Sequence, residues 1–207
     1  MFGIFKSIAT PSELSLCEDH DLVLRAQQQD QAAFTELVRR NHRQIFNVLY
    51  ALLADQDEAD DLTQEVFLKA YRALPNFEGR SKFYTWLYRL SINCWKDWLK
   101  SPRCRKEYWE DWHEETLQVD QPPVWVAADA DVENLELQNL LKQALNDLPA
   151  DYRATVVLRE FEGLDYEEIA VALNCSVGTV KSRLFRARMR LRKLWETHYR
   201  HVWEGSY

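Results

Sequence analysis

Apolar residues recur at three- and four-residue intervals along most of the chain, a spacing that predicts amphipathic α-helices. The first predicted helix begins at Asp30, whose side chain suits a helix N-cap, and reaches about Ala54. Its inward positions are Phe34, Leu37, Val38, Ile45, Leu49 and Leu52. Asp55 and Glu58 then have the spacing of a capping box, which predicts the start of a second helix. The apolar side of that helix consists of Leu62, Val66, Ala70 and Leu74, and Pro75 ends it.

A third predicted helix begins at about Lys82, after a loop that contains Gly79. The inward positions predicted for it are Phe83, Leu87, Leu90, Cys94 and Trp98, and Ser101 and Pro102 end it. Residues 107–131 have no sustained period, which is typical of a linker. Helices resume over about residues 132–145 and 149–162, and Gly163 is placed to end the second of them. The pattern predicts an all-α protein with two helical domains joined by a linker.

The sharpest local signal is a predicted helix-turn-helix near the C-terminus. Asp165 and Glu168 have capping-box spacing at the start of a short helix, and its inward positions are Ile169, Ala170 and Leu173. Asn174 and Cys175 predict the turn, and Ser176 is placed to cap the next helix. The buried stripe of that last helix consists of Val180, Leu184, Ala187 and Leu191.

The other side of the last helix carries side chains that can bind base edges in a major groove. Residues near the N-terminus of a recognition helix reach the bases, where Lys and Arg pair with guanine and Ser and Thr serve several bases. We call this set the recognition face, and it consists of Thr179, Lys181, Ser182, Arg183, Phe185, Arg186 and Arg190. A solvated basic helix without a ligand is the alternative.

The third predicted helix offers a different nucleic-acid surface. One stripe of this helix carries Trp86, Arg89, Asn93, Lys96 and Lys100, and Tyr84 and Tyr88 lie beside it. Aromatic rings interleaved with cations suit single-stranded nucleic acid, because bases stack on the rings and cations follow the phosphates. The alternative is that these aromatic residues belong to the core.

The second predicted helix begins with six acidic residues, which are Asp55, Asp57, Glu58, Asp60, Asp61 and Glu65. Interaction with the helix dipole accounts for one or two acids in a first turn. The remaining acids are better explained by a protein partner that carries Arg or Lys, since nucleic acid would be repelled.

Charge is segregated along the 207-residue chain, so its formal net charge of -7 hides two basic blocks. Residues 69–106 contain ten Lys or Arg and two acids, and residues 177–203 contain eight Lys or Arg and one acid. The intervening residues 107–141 contain ten carboxylates without a Lys or Arg, and three tryptophans lie among them. The linker is therefore acidic, whereas both candidate nucleic-acid surfaces are basic.

Several function classes are excluded by what the sequence does not contain. Five dispersed glycines form neither of the common phosphate-binding loops, and four cysteines lack metal-finger spacing. No nucleophile, base and orienting group converge in the sequence. We therefore expect no cofactor, no metal site, no small-molecule substrate and no catalytic activity. The N-terminus lacks the features of a secretory signal, which favours a cytoplasmic location.

Four segments in order resemble bacterial sigma factors of the extracytoplasmic-function group. These segments read DDLTQEVFLKAYRAL at residues 60–74, FYTWLYR at 83–89, LDYEEIA at 164–170 and VGTVKSRLFRAR at 177–188. The resemblance implies a non-catalytic initiation factor that binds core RNA polymerase, opens promoter DNA with its first domain and recognises the minus-35 element with its last domain. It divides the chain into an extension (1–20), a region-2-like domain (21–102), the linker (103–132) and a region-4-like domain (133–207).

The resemblance also implies residue roles. Core polymerase would contact Asp60, Asp61, Gln64, Glu65 and Phe67. Single-stranded minus-10 DNA would contact the set that we call the minus-10 surface, which consists of Phe77, Arg80, Lys82, Tyr84, Trp86, Tyr88, Arg89, Asn93 and Lys96. Double-stranded minus-35 DNA would meet the recognition face. The resemblance further implies a stress or envelope response under an anti-sigma factor, which could hold the chain at the membrane.

One alternative remains open at this point. A stand-alone helix-turn-helix regulator would use its N-terminal half for dimerisation or sensing and would bind paired half-sites without polymerase. The acid-rich helix and the aromatic stripe favour the sigma-factor interpretation, because such a regulator needs neither of them.

Overall fold

The computed structural model of the protein describes residues 14–101 and 143–194. Helices account for all the regular secondary structure in these two ranges. The acidic linker with its tryptophans, the extension before residue 14 and most of the helix predicted over residues 132–145 lie outside the described residues. The all-α prediction is confirmed.

The described part of the N-terminal domain includes α1 (Asp19–Gln27), α2 (Gln31–Leu53), α3 (Gln56–Ala73) and α4 (Phe83–Leu99). A short 3-10 helix, Leu74–Asn76, follows α3 at the predicted Pro75 stop. The largest fully buried side chains of this domain are Leu22, Leu37, Ile45, Leu49, Leu52, Leu74, Leu87, Ile92 and Trp95. Helix α1 was not predicted from the sequence.

Local capping chemistry sets the ends of these helices. The Asp30 carboxylate accepts hydrogen bonds from the backbone N–H groups of Ala32 and Ala33, both at 3.1 Å. Ala54 ends α2 in the left-handed conformation with φ 58°, and the Asp55 side chain caps α3 by accepting from the Glu58 N–H at 3.0 Å. The Glu58 carboxylate accepts from Trp98 Nε1 at 2.8 Å, which joins the start of α3 to the end of α4.

The C-terminal domain contains α5 (Ala150–Val156), α6 (Tyr166–Leu173) and α7 (Val177–Leu194). The helix predicted over residues 149–162 continues beyond α5 as a π-helix, Val157–Phe161, before Gly163 with φ 67°. Asp165 and Glu168 form the predicted capping box, and Asn174 makes the turn in the left-handed conformation. The predicted stripe of α7 is buried, with Val180, Leu184, Ala187 and Leu191 exposed by 0%, 2%, 0% and 6%. The helix-turn-helix prediction is confirmed.

Two faces of α4 are covered, and the prediction of a single buried stripe was wrong in part. Leu90 and Trp98 are only partly buried, whereas Trp95 and Tyr88 are buried. The reason is that α4 packs against α3 on one side and against α6 of the C-terminal domain on another. A helix between two neighbours buries more than one stripe.

Candidate nucleic-acid interface

The recognition face lies on α7 opposite its buried stripe. Lys181, Ser182 and Arg186 are exposed, and Thr179, Arg183, Phe185 and Arg190 are half-buried. The hydroxyls near the start of α7 support the helix end. Ser176 Oγ accepts from the Thr179 N–H at 3.0 Å, and Ser182 Oγ donates to the Thr179 carbonyl at 2.9 Å. These hydrogen bonds stabilise the start of α7, the helix from which Lys181 and Arg186 project.

The cations of α7 differ in what they contact. Arg183 forms an ion pair with Asp151 of α5, at 2.5 Å between Nη2 and Oδ2. Arg188 forms an ion pair with Glu160, also at 2.5 Å, so it supports the packing of α7 on the π-helix. Lys181 lies 5.9 Å from the Tyr166 ring centroid. Arg183 thus has an acidic partner within its own domain. Among the described residues, Lys181 and Ser182 have no acidic partner of this kind.

The minus-10 surface is centred on an aromatic cluster where α4 begins. The Trp86 ring lies 4.9 Å from the Phe77 ring and 5.6 Å from the Phe83 ring, measured between centroids. Trp86 and Phe77 are half-buried, so part of each side chain is open to solvent. Arg89 and Asn93 follow on α4 and are exposed. Arg80 is exposed in the preceding loop and pairs with Glu78 at 2.5 Å.

The rest of the minus-10 surface faces the C-terminal domain. Glu168 of α6 accepts from the Tyr84 hydroxyl and pairs with Lys82 Nζ at 3.0 Å. Glu162 accepts from the Tyr88 hydroxyl at 2.7 Å, and Tyr88 is only 3% exposed. The sequence predicted that both tyrosines face outward. In the structure, carboxylates of the C-terminal domain bind their hydroxyls instead.

The contact between the two domains also shifts the pKa values of the side chains that form it. Burial, reinforced by the Glu162 carboxylate, raises the pKa of Tyr88 far above its usual range. Burial also raises the pKa of Glu162, although the Tyr88 hydroxyl opposes that rise. The Tyr84 hydroxyl and then Glu168 raise the pKa of Lys82, so the ammonium stays charged at neutral pH.

Lys96 of α4 reaches a third carboxylate. Its Nζ lies 2.5 Å from Asp151 Oδ1, while Asp151 Oδ2 holds Arg183. Asp151 therefore bridges a cation of the minus-10 surface and a cation of the recognition face. No local sequence pattern marks Asp151 for this role, since an acid in a first helical turn is ordinary.

The candidate polymerase-binding residues lie on α3. Asp61, Gln64 and Glu65 are exposed, Asp60 is half-buried, and Glu65 pairs with Lys69 at 2.7 Å. Phe67 is 7% exposed and stacks on the His42 ring at 6.0 Å between centroids, so its side chain belongs to the core. Leu68 and Tyr71, two apolar residues that no sequence pattern marked, are 58% and 44% exposed on the same helix.

Comparison with known proteins identifies both domains. The family model of Sigma-70 region 2 matches residues 37–104, and that of Sigma-70, region 4 matches residues 138–191. The RNA polymerase sigma-H factor of Pseudomonas aeruginosa is 40% identical over 83% of this chain and 90% of its own length. The ECF RNA polymerase sigma-E factor of Escherichia coli strain K12 is 39% identical over 82% of this chain and 90% of its own length.

A solved structure agrees with these relatives. The sigma factor RpoE of Bartonella quintana, solved in complex with the anti-sigma factor NepR, is similar with a TM-score of 0.59 at 28% identity, over 80% of this chain and 98% of that one. None of the helices within the described ranges has the length and hydropathy of a membrane span. On these matches over both helical domains, the chain belongs to the sigma-70 family of bacterial RNA polymerase sigma factors, in the extracytoplasmic-function group, and is a transcription initiation factor.

Proposed function

We propose that this sigma factor binds core RNA polymerase through the acidic side of α3, holds the unpaired minus-10 strand on α4 and recognises the minus-35 element with α7. The observation that carries the proposal is the separation of exposed charge between helices. Asp61 and Glu65 project from α3, whereas Lys181 and Arg186 project from α7. Surfaces of opposite sign suit a basic protein partner and DNA respectively.

The aromatic cluster of α4 supports the minus-10 assignment. Trp86 is held on Phe77 and Phe83, so one side of its ring is fixed before any base arrives. A base that leaves the duplex loses stacking, and a fixed ring beside an exposed amide such as Asn93 can replace that stacking and bind the base edge. Arg89 on the same helix can follow the backbone phosphates.

Control by an anti-sigma factor completes the proposal. Its support is the similarity, over nearly the whole of that chain, to RpoE of Bartonella quintana, a sigma factor that was solved in complex with an anti-sigma factor. The group to which the relatives belong supports a role in a stress or envelope response, with the chain acting on polymerase in the cytoplasm and having no catalytic activity of its own. A stand-alone helix-turn-helix regulator is disfavoured, because it would have no use for the acidic side of α3.

A binding experiment with the full chain tests the α3 assignment. We expect the double variant Asp61→Asn/Glu65→Gln to bind core polymerase about tenfold or more weakly, since interfacial charges facing a basic partner contribute a few kcal/mol. The matched control, Glu18→Gln/Asp21→Asn, removes the same charge from exposed positions at the start of α1, away from α3. Competition for labelled core polymerase measures both. Equal affinity of the two variants would contradict the assignment.

Transcription then tests the rest of the proposal. Core polymerase with this chain should initiate at a defined subset of a promoter library, and neither component alone should do so. Specific binding to paired half-sites by the chain without polymerase would instead support the stand-alone regulator.

A further inference from the structure

The side chain of Gln27 reaches from the last residue of α1 to the turn that follows α3. Its Nε2 donates to the Leu74 carbonyl at 3.1 Å and to the Phe77 carbonyl at 2.7 Å. The Leu74 carbonyl also accepts from the Phe77 N–H at 3.0 Å, which closes the 3-10 turn. One amide group therefore binds the carbonyls at both ends of this turn, and its two N–H donors match the two acceptors.

This turn is where the chain leaves the helical conformation and enters the minus-10 surface. Phe77 has an extended backbone, with φ -76° and ψ 113°, and it begins the segment that we call the α3–α4 loop, residues 77–82. Arg80 and Lys82 of the minus-10 surface lie in the same loop. Carbonyls at the C-terminal end of a helix lack partners within the helix, so a side chain that binds them sets how the chain continues. Gln27 does this for the α3–α4 loop.

The loop carries the ring on which Trp86 packs. The Phe77 ring centroid lies 4.9 Å from that of Trp86 and 6.1 Å from that of Phe83. Leu74 is 1% exposed, so its side chain anchors the turn in the core. Phe77 is half-buried, and its carbonyl is bound by Gln27. The position of the Phe77 ring therefore depends on an amide group of α1.

Helix α1 gives this amide group a rigid support. Three of its side chains are buried in the domain, and they are Leu22, Val23 and Ala26. Arg25 of α1 binds the Asp30 carboxylate through Nε at 2.9 Å and Nη2 at 2.7 Å, and Asp30 also caps α2. A side chain on a supported helix holds a binding surface more precisely than a loop holds itself.

We propose that Gln27 is a positioning residue for recognition of the minus-10 element. It fixes the Phe77 carbonyl, and through it the ring that supports Trp86, without contacting DNA itself. This proposal rests on the assignment of α4 to the minus-10 strand in the proposed function. A surface that is ordered before its ligand arrives loses less conformational entropy on binding. Without the two hydrogen bonds, the α3–α4 loop samples other arrangements, and the Trp86 ring stacks less well on the correct base.

Transcription by core polymerase with the full chain tests the proposal. The test variant is Gln27→Met, which keeps the length of the side chain but removes the donors. The matched control is Gln28→Met, the same change at the next residue, which is exposed. The readout is the minus-10 preference, which is transcription from the best minus-10 element of a promoter library divided by transcription from elements with one changed base. We expect Gln27→Met to lower this ratio about tenfold, as expected for the loss of two hydrogen bonds, and Gln28→Met to leave it unchanged.

The ratio distinguishes positioning from a general loss of folded protein. A purely structural defect reduces the amount of active sigma factor, so it lowers transcription from all elements equally and leaves the ratio unchanged. Gln27→Lys keeps N–H donors that can reach both carbonyls, and it should retain most of the minus-10 preference. In a Phe77→Ala background, Gln27→Met should have no further effect on the ratio, because the ring that Gln27 positions is then absent.

The outcomes also separate this proposal from the assignment of α4. An unchanged minus-10 preference in Gln27→Met, or an equal loss in Gln27→Lys and Gln27→Met, would overturn the positioning role. If Gln27→Met does not fold, Gln27→Glu keeps the shape and replaces the donors by acceptors, and an unchanged ratio there counts equally against the proposal. If Trp86→Ala abolishes the preference while Gln27→Met keeps it, only the positioning role fails. If the preference survives Trp86→Ala, the assignment of α4 is refuted, and the positioning role with it.

Discussion

The guanidinium carbon of Arg153, in the C-terminal domain, lies 5.6 Å from the centroid of the Trp95 ring in the N-terminal domain. Both side chains are fully buried, at 2% and 0% exposure. Arg153 Nη1 also donates to the Leu52 carbonyl at 3.1 Å and to Asn146 Oδ1 at 2.9 Å. Leu52 belongs to the last turn of α2, where carbonyls lack partners within the helix and a cation is favourable. One arginine thus joins the two domains at their buried centre.

Replacing this arginine should open the domains. Arg153→Met keeps much of the apolar stem but removes the donors to Leu52 and Asn146, at a cost of about 1–3 kcal/mol for the acceptors left buried. Arg153→Lys should have an intermediate effect, because lysine keeps the charge without the planar fork. The distance between spin labels at the exposed positions Gln44 and Lys181 measures the opening. The control is Asn146→Ala, which removes an acceptor within the C-terminal domain and should leave the distance short. Equal distances in Arg153→Met and the wild type would contradict this role.

Helix ends and the helix-turn-helix could be predicted from the sequence because their causes are local. Asp30 and Asp165 bind N–H groups two or three residues away, so the capping pattern is visible in the sequence itself. Helix α1 was missed because nine residues with three buried positions, Leu22, Val23 and Ala26, are too few to establish a period.

The contact between the domains could not be predicted in the same way. Tyr88 and Glu162 are 74 residues apart, and Arg153 and Leu52 are 101 residues apart. Nothing in a single sequence pairs such positions. Three- and four-residue spacing of apolar residues predicts one buried side for a helix. Helix α4 has two neighbours, α3 and α6, so Trp95 and Tyr88 are buried although they lie outside the predicted stripe.

The Trp86 side chain should be required for strand opening but not for polymerase binding. Trp86→Ala removes the ring on which the unpaired base would stack. Unstacking a base from the duplex costs a few kcal/mol, and contacts in the polymerase–promoter complex must compensate for that cost. Asn93→Ala should act in the same direction by removing contacts to the base edge. Transcription from a duplex promoter should fall, and transcription from a promoter with a pre-melted bubble should recover. Trp86→Phe, which keeps a ring on Phe77, serves as the control and should retain most activity. Continued inactivity of both alanine variants on the bubble would refute the role in opening.

Arg186 should determine the minus-35 preference more than the cations at the end of α7. Arg186→Ala and Arg183→Ala should each lower use of the cognate element by about 1–3 kcal/mol for each lost base contact. Lys193→Ala should weaken binding slightly on all sequences, as expected for a phosphate contact. Transcription from a library of minus-35 variants separates the two effects. Uniform losses in all three variants would contradict the assignment of the recognition face.

Arg183 requires an additional comparison, because Asp151 already binds it. If Arg183 contacts both Asp151 and DNA, Arg183→Ala should remove an ion pair within the C-terminal domain as well as a base contact. Combining it with Asp151→Asn isolates the DNA contact, since that ion pair is then absent from both proteins. The preference for the cognate minus-35 element should still fall in the double variant relative to Asp151→Asn alone.

Glu36 of α2 should make the stability of the N-terminal domain depend on pH. Its carboxylate accepts two hydrogen bonds from Arg39, both at 2.7 Å, and one from Arg40 at 2.8 Å. Arg40 also pairs with Asp19 of α1 at 2.7 Å and donates to the Leu14 carbonyl at 3.0 Å. This network therefore fastens the segment before α1, and α1 itself, onto α2. Hydrogen bonds from Arg39, and then from Arg40, lower the pKa of Glu36 from 4.5 to about 2.

The sign of the effect follows from that lowered pKa. The network stabilises the fold fully above the unfolded-state pKa of about 4.5, and the stabilisation is lost as the pH falls towards the folded-state value of about 2. Glu36→Gln should therefore reduce the free energy of unfolding by about 1–3 kcal/mol at pH 7, and the difference from the wild type should shrink below pH 4.5. Denaturant unfolding at a series of pH values measures this difference. Asp57→Asn, at an exposed position of α3, is the control and should show a small difference. A difference between Glu36→Gln and the wild type that stays constant down to the lowest pH would show that the Glu36 charge does not hold the network together.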